Sequence, residues 1–374
     1  MILMVYRITM LLTFNIRTAI TAAAFMCFSH YQLGLIAGII GMDHNDIAFG
    51  FYVLASIWCY AEYIASGKWY WALLAGIFSG CAILNKWLTG LLVFSAWAIR
   101  ILLTKNKIQL LHFLLALSAC VVIFLPWQLY TFKHFPKEAA HEMAFNAKHI
   151  WTVVEGHAGD DRFYYNNFPV YFGYVTWMLV FPGVLIMLFK RSHVYEKTIA
   201  LSLLCYTILI YAFFSFIVKT KIEAYFFTVG PLCFIFMAIA ADHIGALLKL
   251  PLLRAALIAG ACWYVLDVRE IMDYKRAFKE REARIHNAII YRHLHNNLPP
   301  DVHIVATDYF EFVNLMFYNP QLTACPWDIQ GTDLATFAAR KERIAVFENH
   351  DNYTVPDALS KYPYLYIIHE RIQQ

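Results

Sequence analysis

The feature that most constrains this chain is a series of long apolar runs that starts at its first residue and stops near residue 270. An α-helix needs about 20 apolar residues to cross a bilayer, where no water can satisfy exposed backbone groups. The runs therefore predict an α-helical polytopic membrane protein with about ten transmembrane segments. They cover residues 1–13, 18–40, 46–65, 69–84, 88–103, 110–128, 168–189, 198–218, 224–241 and 255–269.

One pair of runs leaves the span count open. Runs 69–84 and 88–103 are short for a perpendicular span, and Asn85 and Lys86 interrupt them. The pair can form two short spans that meet at the membrane surface, or one span with a re-entrant piece. Both interpretations place Lys86 near a membrane surface.

Charged residues concentrate where the apolar runs stop. In the whole chain 60% of residues are hydrophobic and 15% are charged, against about 25% charged in an ordinary soluble domain. This break predicts a transmembrane domain over 1–269 and a water-soluble domain over 270–374. The second domain alternates helix-like segments with β-rich runs, which is typical of a small α/β domain with a largely parallel sheet. These β-rich runs are 303–309, 343–349 and 364–370.

Positive charge predicts the orientation of the spans, because connections rich in Lys and Arg stay on the cytoplasmic side. Alternate connections are basic and contain few acids: Arg17, Lys68, Lys105 with Lys107, 190–197 and 249–254. The remaining connections are then extracytoplasmic, as is the C-terminal domain. They are 42–46, 85–87, 129–167 and 219–223.

An acidic cluster lies on this second side, at the start of a predicted span. The segment MDHND holds Asp43, His44 and Asp46 within four residues. An N-cap role explains Asp46 alone. Two carboxylates and an imidazole exceed what capping needs. Carboxylates so placed can position an acceptor hydroxyl, hold a divalent cation or support a general base.

Three lysines on the same side are candidate phosphate ligands. Lys86 interrupts an apolar region, and a snorkelling interfacial lysine is the alternative interpretation. Lys219 and Lys221, followed by Tyr225, lie where the positive-inside rule predicts few cations. An anionic lipid head group would explain them, and a local error in the predicted orientation is the alternative.

The long loop 129–167 carries His149 and His157 among several acids. Their spacing is not that of a helical metal motif such as HExxH, so a metal site competes with the simpler interpretation of a solvated loop. The chain has eight Cys, but no CxxC pair occurs, and all except Cys325 lie in apolar runs. Neither a disulfide framework nor a thiolate zinc site is predicted.

Taken in order, these motifs resemble one family pattern. A span ends in GMDHND, a hairpin with Gly-x-x-x-Gly and a lysine reads GIFSGCAILNKWLTG, and PWQLY, FYYNNFP and KTKIEAYFFTVGP follow. Together they resemble the GT-C membrane glycosyltransferases, in the branch that contains protein mannosyltransferases, the lipid A aminoarabinose transferase and Rgt-like enzymes. The resemblance covers most of residues 1–241.

The resemblance implies a large transmembrane enzyme of the cell envelope that moves a sugar, with inversion, from a polyprenyl-phosphate donor to an extracytoplasmic acceptor. It implies membrane lipids as further partners and no nucleic acid. By position it assigns Asp43 and Asp46 as catalytic carboxylates, and Lys86, Lys219, Lys221 and Tyr225 as ligands of the donor phosphate. It matches His149 and His157 to loop histidines near the donor and a divalent metal.

This sequence departs from the family pattern at its start. In the family the principal catalytic aspartate lies in the first extracytoplasmic loop, whereas this chain begins inside what resembles the second span. No residue here is therefore expected to act as that base. Truncation of a longer protein is the preferred explanation, and loss of activity is the alternative.

Two other functions compete with the transferase. A transporter or flippase of a lipid-linked sugar would place its charges at the midplane of broken helices in repeated halves. Here the polar motifs gather at one face, and no internal repeat is visible. A non-catalytic binding or assembly subunit is the second alternative, because the first loop of the family pattern is missing.

Overall fold

A computed structural model describes residues 1–36, 45–86, 88–154, 156–189, 194–247, 251–266, 275–307, 311–327, 329, 331–350 and 355–372. The chain divides into two compact units, Met1–Val268 and Arg269–Gln374. The first unit is helical and the second combines helices with one sheet.

Thirteen helices form the described part of the first unit. They are α1 (Ile2–Thr13), α2 (Ile16–Phe28), α3 (His30–Ile36), α4 (Asn45–Ser66), α5 (Trp69–Lys86), α6 (Leu92–Thr104), α7 (Lys107–His134), α8 (Pro136–Trp151), α9 (Phe163–Phe172), α10 (Tyr174–Phe189), α11 (Val194–Ala212), α12 (Gly230–Leu247) and α13 (Pro251–Leu266). A π-helical turn, Phe213–Ile217, extends α11, and a 3₁₀ segment, Glu223–Val229, leads into α12.

Within the described residues, four helices are long and apolar enough to cross a membrane, or up to six if each of two bent pairs counts as one span. The four are Asn45–Ser66, Lys107–His134, Val194–Ile217 and Glu223–Leu247. The bent pairs are α2 with α3, at 53°, and α9 with α10, at 108°. The figure of about ten spans stays a prediction, because several predicted runs form helices shorter than a bilayer is thick.

Helix α12 forms the centre of the first unit. It belongs to the span Glu223–Leu247, whose most apolar stretch of 18 residues is 94% buried. Helix α12 packs against α10 and α2. A helix that is apolar on every side, as α12 is from Pro231 to Ala241, is stable only when protein or lipid surrounds it completely. The other helices therefore pack around it.

Small residues bring α5 and α7 into close contact. A Cβ atom added at Gly76 would lie 2.0 Å from the carbonyl oxygen of Ala116, and one at Gly80 would lie 2.7 Å from that of Cys120. Small residues at this spacing let helix backbones approach in membranes, where apolar side chains gain little by leaving lipid. The Gly-x-x-x-Gly pattern thus fixes helix α5, which ends in Lys86, against α7.

The second unit contains α14 (Lys275–Asn297), α15 (Phe312–Tyr318), α16 (Gly331–Ala339) and α17 (Asp357–Ser360), with strands β1 (Val302–Thr307), β2 (Thr323–Pro326), β3 (Arg343–His350) and β4 (Leu365–Ile372). The strands form one parallel sheet in the order β2-β1-β3-β4. Strand β2 was not predicted, because four residues give too short a pattern to recognise. Burial raises the pKa of its Cys325 to about 12, so this thiol is inert near neutral pH.

The α5–α7 crossing generates a stability prediction. Gly76→Ala should lower the free energy of unfolding by about 1–3 kcal/mol, because the new methyl group overlaps the backbone of α7. Thermal unfolding in detergent measures the loss. Gly260→Ala in α13 is the control, since no heavy atom lies within 4 Å of its added Cβ. Equal melting temperatures for the two variants would show that the crossing is not tight.

Candidate functional site

A cavity of about 460 Å³ opens in the first unit where α4, α5, α6, α8 and the segments flanking α11 and α12 converge. Most of its wall is apolar, including Phe49, Val53, Leu91, Leu92, Ile150, Leu209, Ile210, Phe213, Phe214, Val218 and Phe227. Its polar side chains are those of Lys86, Asn146, His149, Tyr225 and Thr228. An apolar chamber with a few polar groups suits an amphiphilic ligand.

The cation in this cavity belongs to an ion pair. Lys86, the last residue of α5, donates a hydrogen bond to Oδ1 of Asp46 in the first turn of α4. Asp46 is fully buried, whereas 28% of the Lys86 side chain remains exposed and lines the cavity. A buried carboxylate needs such a partner, because desolvation of a lone charge costs several kcal/mol. The structure thus brings two sequence-predicted residues together.

Lys221 lies behind the cavity wall. Its Nζ donates hydrogen bonds of 2.7 Å to the carbonyl oxygens of Phe214, Ser215 and Val218. An ammonium has three donors, so all of them are used on the carbonyl groups that end the α11 extension. Burial lowers the pKa of Lys221, and the nearby carboxylate of Asp161 opposes that effect. In this arrangement Lys221 has no N–H left for a phosphate.

The segment that carries His149 and His157 (the histidine loop) and the segment that carries Lys219 and Lys221 (the lysine loop) are joined by backbone hydrogen bonds. The N–H groups of Lys219, Thr220 and Lys221 donate to the carbonyl oxygens of Ile150, His149 and His157, respectively. The buried Thr220 hydroxyl donates to the carbonyl oxygen of Thr152 and accepts from the N–H of Val154. Two loops about 70 residues apart in sequence therefore form one wall.

Tyr225 is held over this wall by an aromatic contact. Its ring stacks on Phe214 with centroids 4.7 Å apart, and both residues line the cavity. Helix α3 holds the same 3₁₀ segment from behind, because the Tyr31 hydroxyl donates to the carbonyl oxygen of Glu223. The Gln32 amide donates to the carbonyl oxygen of Phe227. The sequence analysis did not single out Gln32, although a polar residue inside the apolar run 18–40 is a signal that could have identified it.

The two histidines differ in their surroundings. His149 is buried, lines the cavity, and places Nδ1 2.9 Å from the carbonyl oxygen of Phe145. His157 is half-buried and contributes its carbonyl group to the wall. Among the residues that the structure describes, no three His, Cys, Asp or Glu side chains could hold a metal ion together. The predicted divalent metal therefore stays a prediction without a ligand set.

Two predicted residues are not among the described residues that line the cavity, for different reasons. Asp43 lies outside the described residues. Lys219 is exposed and is not part of the cavity wall, although its backbone pairs with Ile150.

Residues 1–139, less than half of the chain, match the family model of dolichyl-phosphate-mannose-protein mannosyltransferase. No curated protein matches the sequence significantly.

Solved structures match much more of the chain. ArnT from Cupriavidus metallidurans bound to undecaprenyl phosphate aligns with a TM-score of 0.63 at 16% identity, covering 91% of this chain and 72% of ArnT. Its apo state aligns with a TM-score of 0.61 at 15% identity, covering 86% and 69%. The fold is that of ArnT. The GT-C resemblance predicted from the motifs is confirmed, and the chain is a multi-pass membrane protein.

The arrangement around Lys221 yields a second prediction. Lys221→Met keeps most of the apolar stem but removes the hydrogen bonds to three carbonyl groups. We expect a loss of about 1.5–3 kcal/mol of stability, since charged hydrogen bonds have this value. Hydrogen exchange should accelerate in 149–161 and 218–222.

Lys219→Met is the matched control, because the Lys219 side chain is exposed. It should leave both the melting temperature and the exchange rates unchanged. Unchanged exchange in the Lys221 variant would show that its ammonium does not stabilise the wall.

Proposed function

We propose that this protein is an integral membrane glycosyltransferase that moves a sugar from a polyprenyl-phosphate donor to an extracytoplasmic acceptor, which is a lipid, a glycan or a protein. The observation that carries the proposal is the Asp46–Lys86 pair at the edge of a cavity with mainly apolar walls. That cavity lies in a fold shared with ArnT, which was crystallised with undecaprenyl phosphate.

The cavity offers both features that a polyprenyl phosphate requires. Its apolar wall suits isoprenoid carbons, and the partly exposed Lys86 side chain offers a cation to a phosphate. A phosphate that approaches Lys86 competes with Asp46 for the same cation. Tyr225, stacked on Phe214, also lines the cavity and supplies a hydroxyl group.

The chemistry follows from these positions. The acceptor oxygen attacks the anomeric carbon, the bond from that carbon to the phosphate oxygen breaks, and the bonding electrons leave with the lipid phosphate. Lys86 and Tyr225 stabilise the charge that builds on this leaving group. Attack opposite the leaving group inverts the anomeric centre.

A carboxylate receives the acceptor proton in this scheme. Asp46 accepts the Lys86 hydrogen bond on Oδ1, so this oxygen is occupied as long as the pair stays closed. Asp43 lies only three residues earlier and is the second proposed base. Opening of the pair by the donor phosphate would free Asp46 at the moment when the substrate is bound.

The two remaining lysines have separate roles in the proposal. Lys219 is exposed beside the wall and attracts the anionic head group of the donor. Lys221 positions the wall through its three carbonyl contacts instead of binding the phosphate directly. The backbone carbonyl groups of His149 and His157 hold their loop against residues 219–221.

Substitution of Lys86 tests the proposal. Lys86→Met should lower kcat/KM for polyprenyl-phosphate sugars by about 10²-fold or more, because it removes a cation from the developing charge. The measurement is release of polyprenyl phosphate from a panel of lipid-phosphate sugars, with a full-length form that includes any preceding segment. Lys137→Met, exposed on α8, is the control and should retain full activity.

The same assay separates the competing functions. A flippase moves the intact donor across the bilayer and releases no polyprenyl phosphate. A binding subunit retains the donor without turnover. Equal turnover by the Lys86 and Lys137 variants would remove Lys86 from the reaction and with it the proposed site.

Orientation provides a further test. Helix α4 has 22 residues and is therefore about 33 Å long, so Asp46 at its start and Lys68 just after its end are separated by the length of this helix. The basic connections, Lys68 among them, are proposed to be cytoplasmic. A reporter fused after Gln374 should then read extracytoplasmic, and one inserted after Asn106 should read cytoplasmic. A cytoplasmic signal at Gln374 would reverse the assigned side of the C-terminal domain.

A further inference from the structure

A second cavity, of about 150 Å³, lies at the other end of the membrane unit. Helix α11 contributes residues to both cavities. Helix α12 lines the second cavity, and the 3₁₀ segment that leads into α12 lines the first. Glu196 in the second cavity and Phe214 in the first are 18 residues apart along one continuous helix, or about 27 Å. The second cavity is therefore separate from the proposed transferase site.

The two cavities differ in the ionisable side chains that line them. The first contains Lys86 and His149, whereas the second contains the carboxylates of Glu196 and Asp242 together with the imidazole of His243. Asn15 fixes Asp242 through a hydrogen bond of 2.9 Å from Nδ2 to Oδ2, and its Oδ1 accepts from the backbone N–H of Arg17. One carboxylate is thus held rigidly by the connection between α1 and α2.

Glu196 is the residue that points to a ligand. Only 8% of it is exposed, its side chain faces the cavity, and it makes no hydrogen bond or ion pair with any residue that the structure describes. Burial of an unpaired carboxylate is costly, and its place in the first turn of α11 offsets only part of that cost. A cationic partner inside the cavity would offset the remaining cost of burying this carboxylate.

The chemistry of the cavity selects the kind of cation. Among the described residues, no three metal-ligating side chains could hold a metal ion together, which disfavours a divalent metal. Thr13 and Thr18 add hydroxyl groups beside the two carboxylates, and Leu12, Met187 and Ile239 add apolar surface. A primary ammonium has three N–H donors for these oxygens, and a short aliphatic chain suits the apolar surface.

We propose that this second cavity binds a primary ammonium group on a short aliphatic chain, with Glu196 and Asp242 as its anionic partners. The ammonium can come from the ethanolamine head group of a membrane phospholipid or from a free small amine. The site does not depend on the proposed transferase activity, because no residue is shared between the two cavities.

Native mass spectrometry of the purified full chain tests lipid binding. The protein is incubated with phosphatidylethanolamine or with phosphatidylcholine of the same acyl chains, so that only N-methylation differs. The wild type should retain phosphatidylethanolamine about tenfold better, the factor that corresponds to one charged hydrogen bond. Glu196→Gln should abolish this preference, and Glu138→Gln, exposed on α8, should preserve it.

Thermal unfolding with free ethanolamine or choline distinguishes the source of the ammonium. A higher melting temperature with ethanolamine alone, lost in Glu196→Gln, indicates a free amine, whereas selective retention of the phospholipid alone indicates a lipid head group. Equal binding of methylated and unmethylated forms by the wild type overturns the proposal. This comparison needs no variant, so a misfolded Glu196→Gln protein leaves the test intact.

Discussion

The ion pair between Asp46 and Lys86 is the interaction on which the rest of the site depends. Asp46 is fully buried in the first turn of α4, and a low-dielectric surrounding makes an unpaired carboxylate there unfavourable. The pair therefore fixes the start of α4 against the end of α5. Lys86, which pairs with this carboxylate, also lines the cavity. The same lysine therefore stabilises the fold and is the proposed ligand of the donor phosphate.

The lysines of this side of the bundle divide their roles according to burial. The Lys86 side chain is partly exposed, whereas the Lys221 ammonium donates all its hydrogen bonds to three carbonyl groups at the end of the α11 extension. That extension, the Thr220 hydroxyl and the backbone of His157 join two distant loops into one wall. A rigid wall matters for a transferase, because preorganised groups stabilise developing charge without reorganising.

The two ends of α11 and α12 differ in the charge that they present. At one end a lysine lines an apolar cavity, and at the other end two carboxylates line a smaller one. Each cavity lies beside a fully or partly buried carboxylate that would be unfavourable without a partner. In each, a hydrogen bond from a neighbouring side chain holds that carboxylate in place. Lys86 engages Asp46 in the first, and Asn15 fixes Asp242 in the second. Such buried charges mark functional positions in membrane proteins.

The sequence by itself determined that the protein is a membrane protein, and it predicted that the acidic, lysine and histidine motifs lie at one face, because hydropathy and positive charge act locally along the chain. It also predicted three of the four strands. Only the tertiary structure decided which charges meet: Asn15 and Asp242 bond across 227 positions, and no local pattern encodes that contact. The distinction between an accessible Lys86 and an occupied Lys221 likewise required the packed helices, because burial and hydrogen-bond partners arise only when distant segments come together.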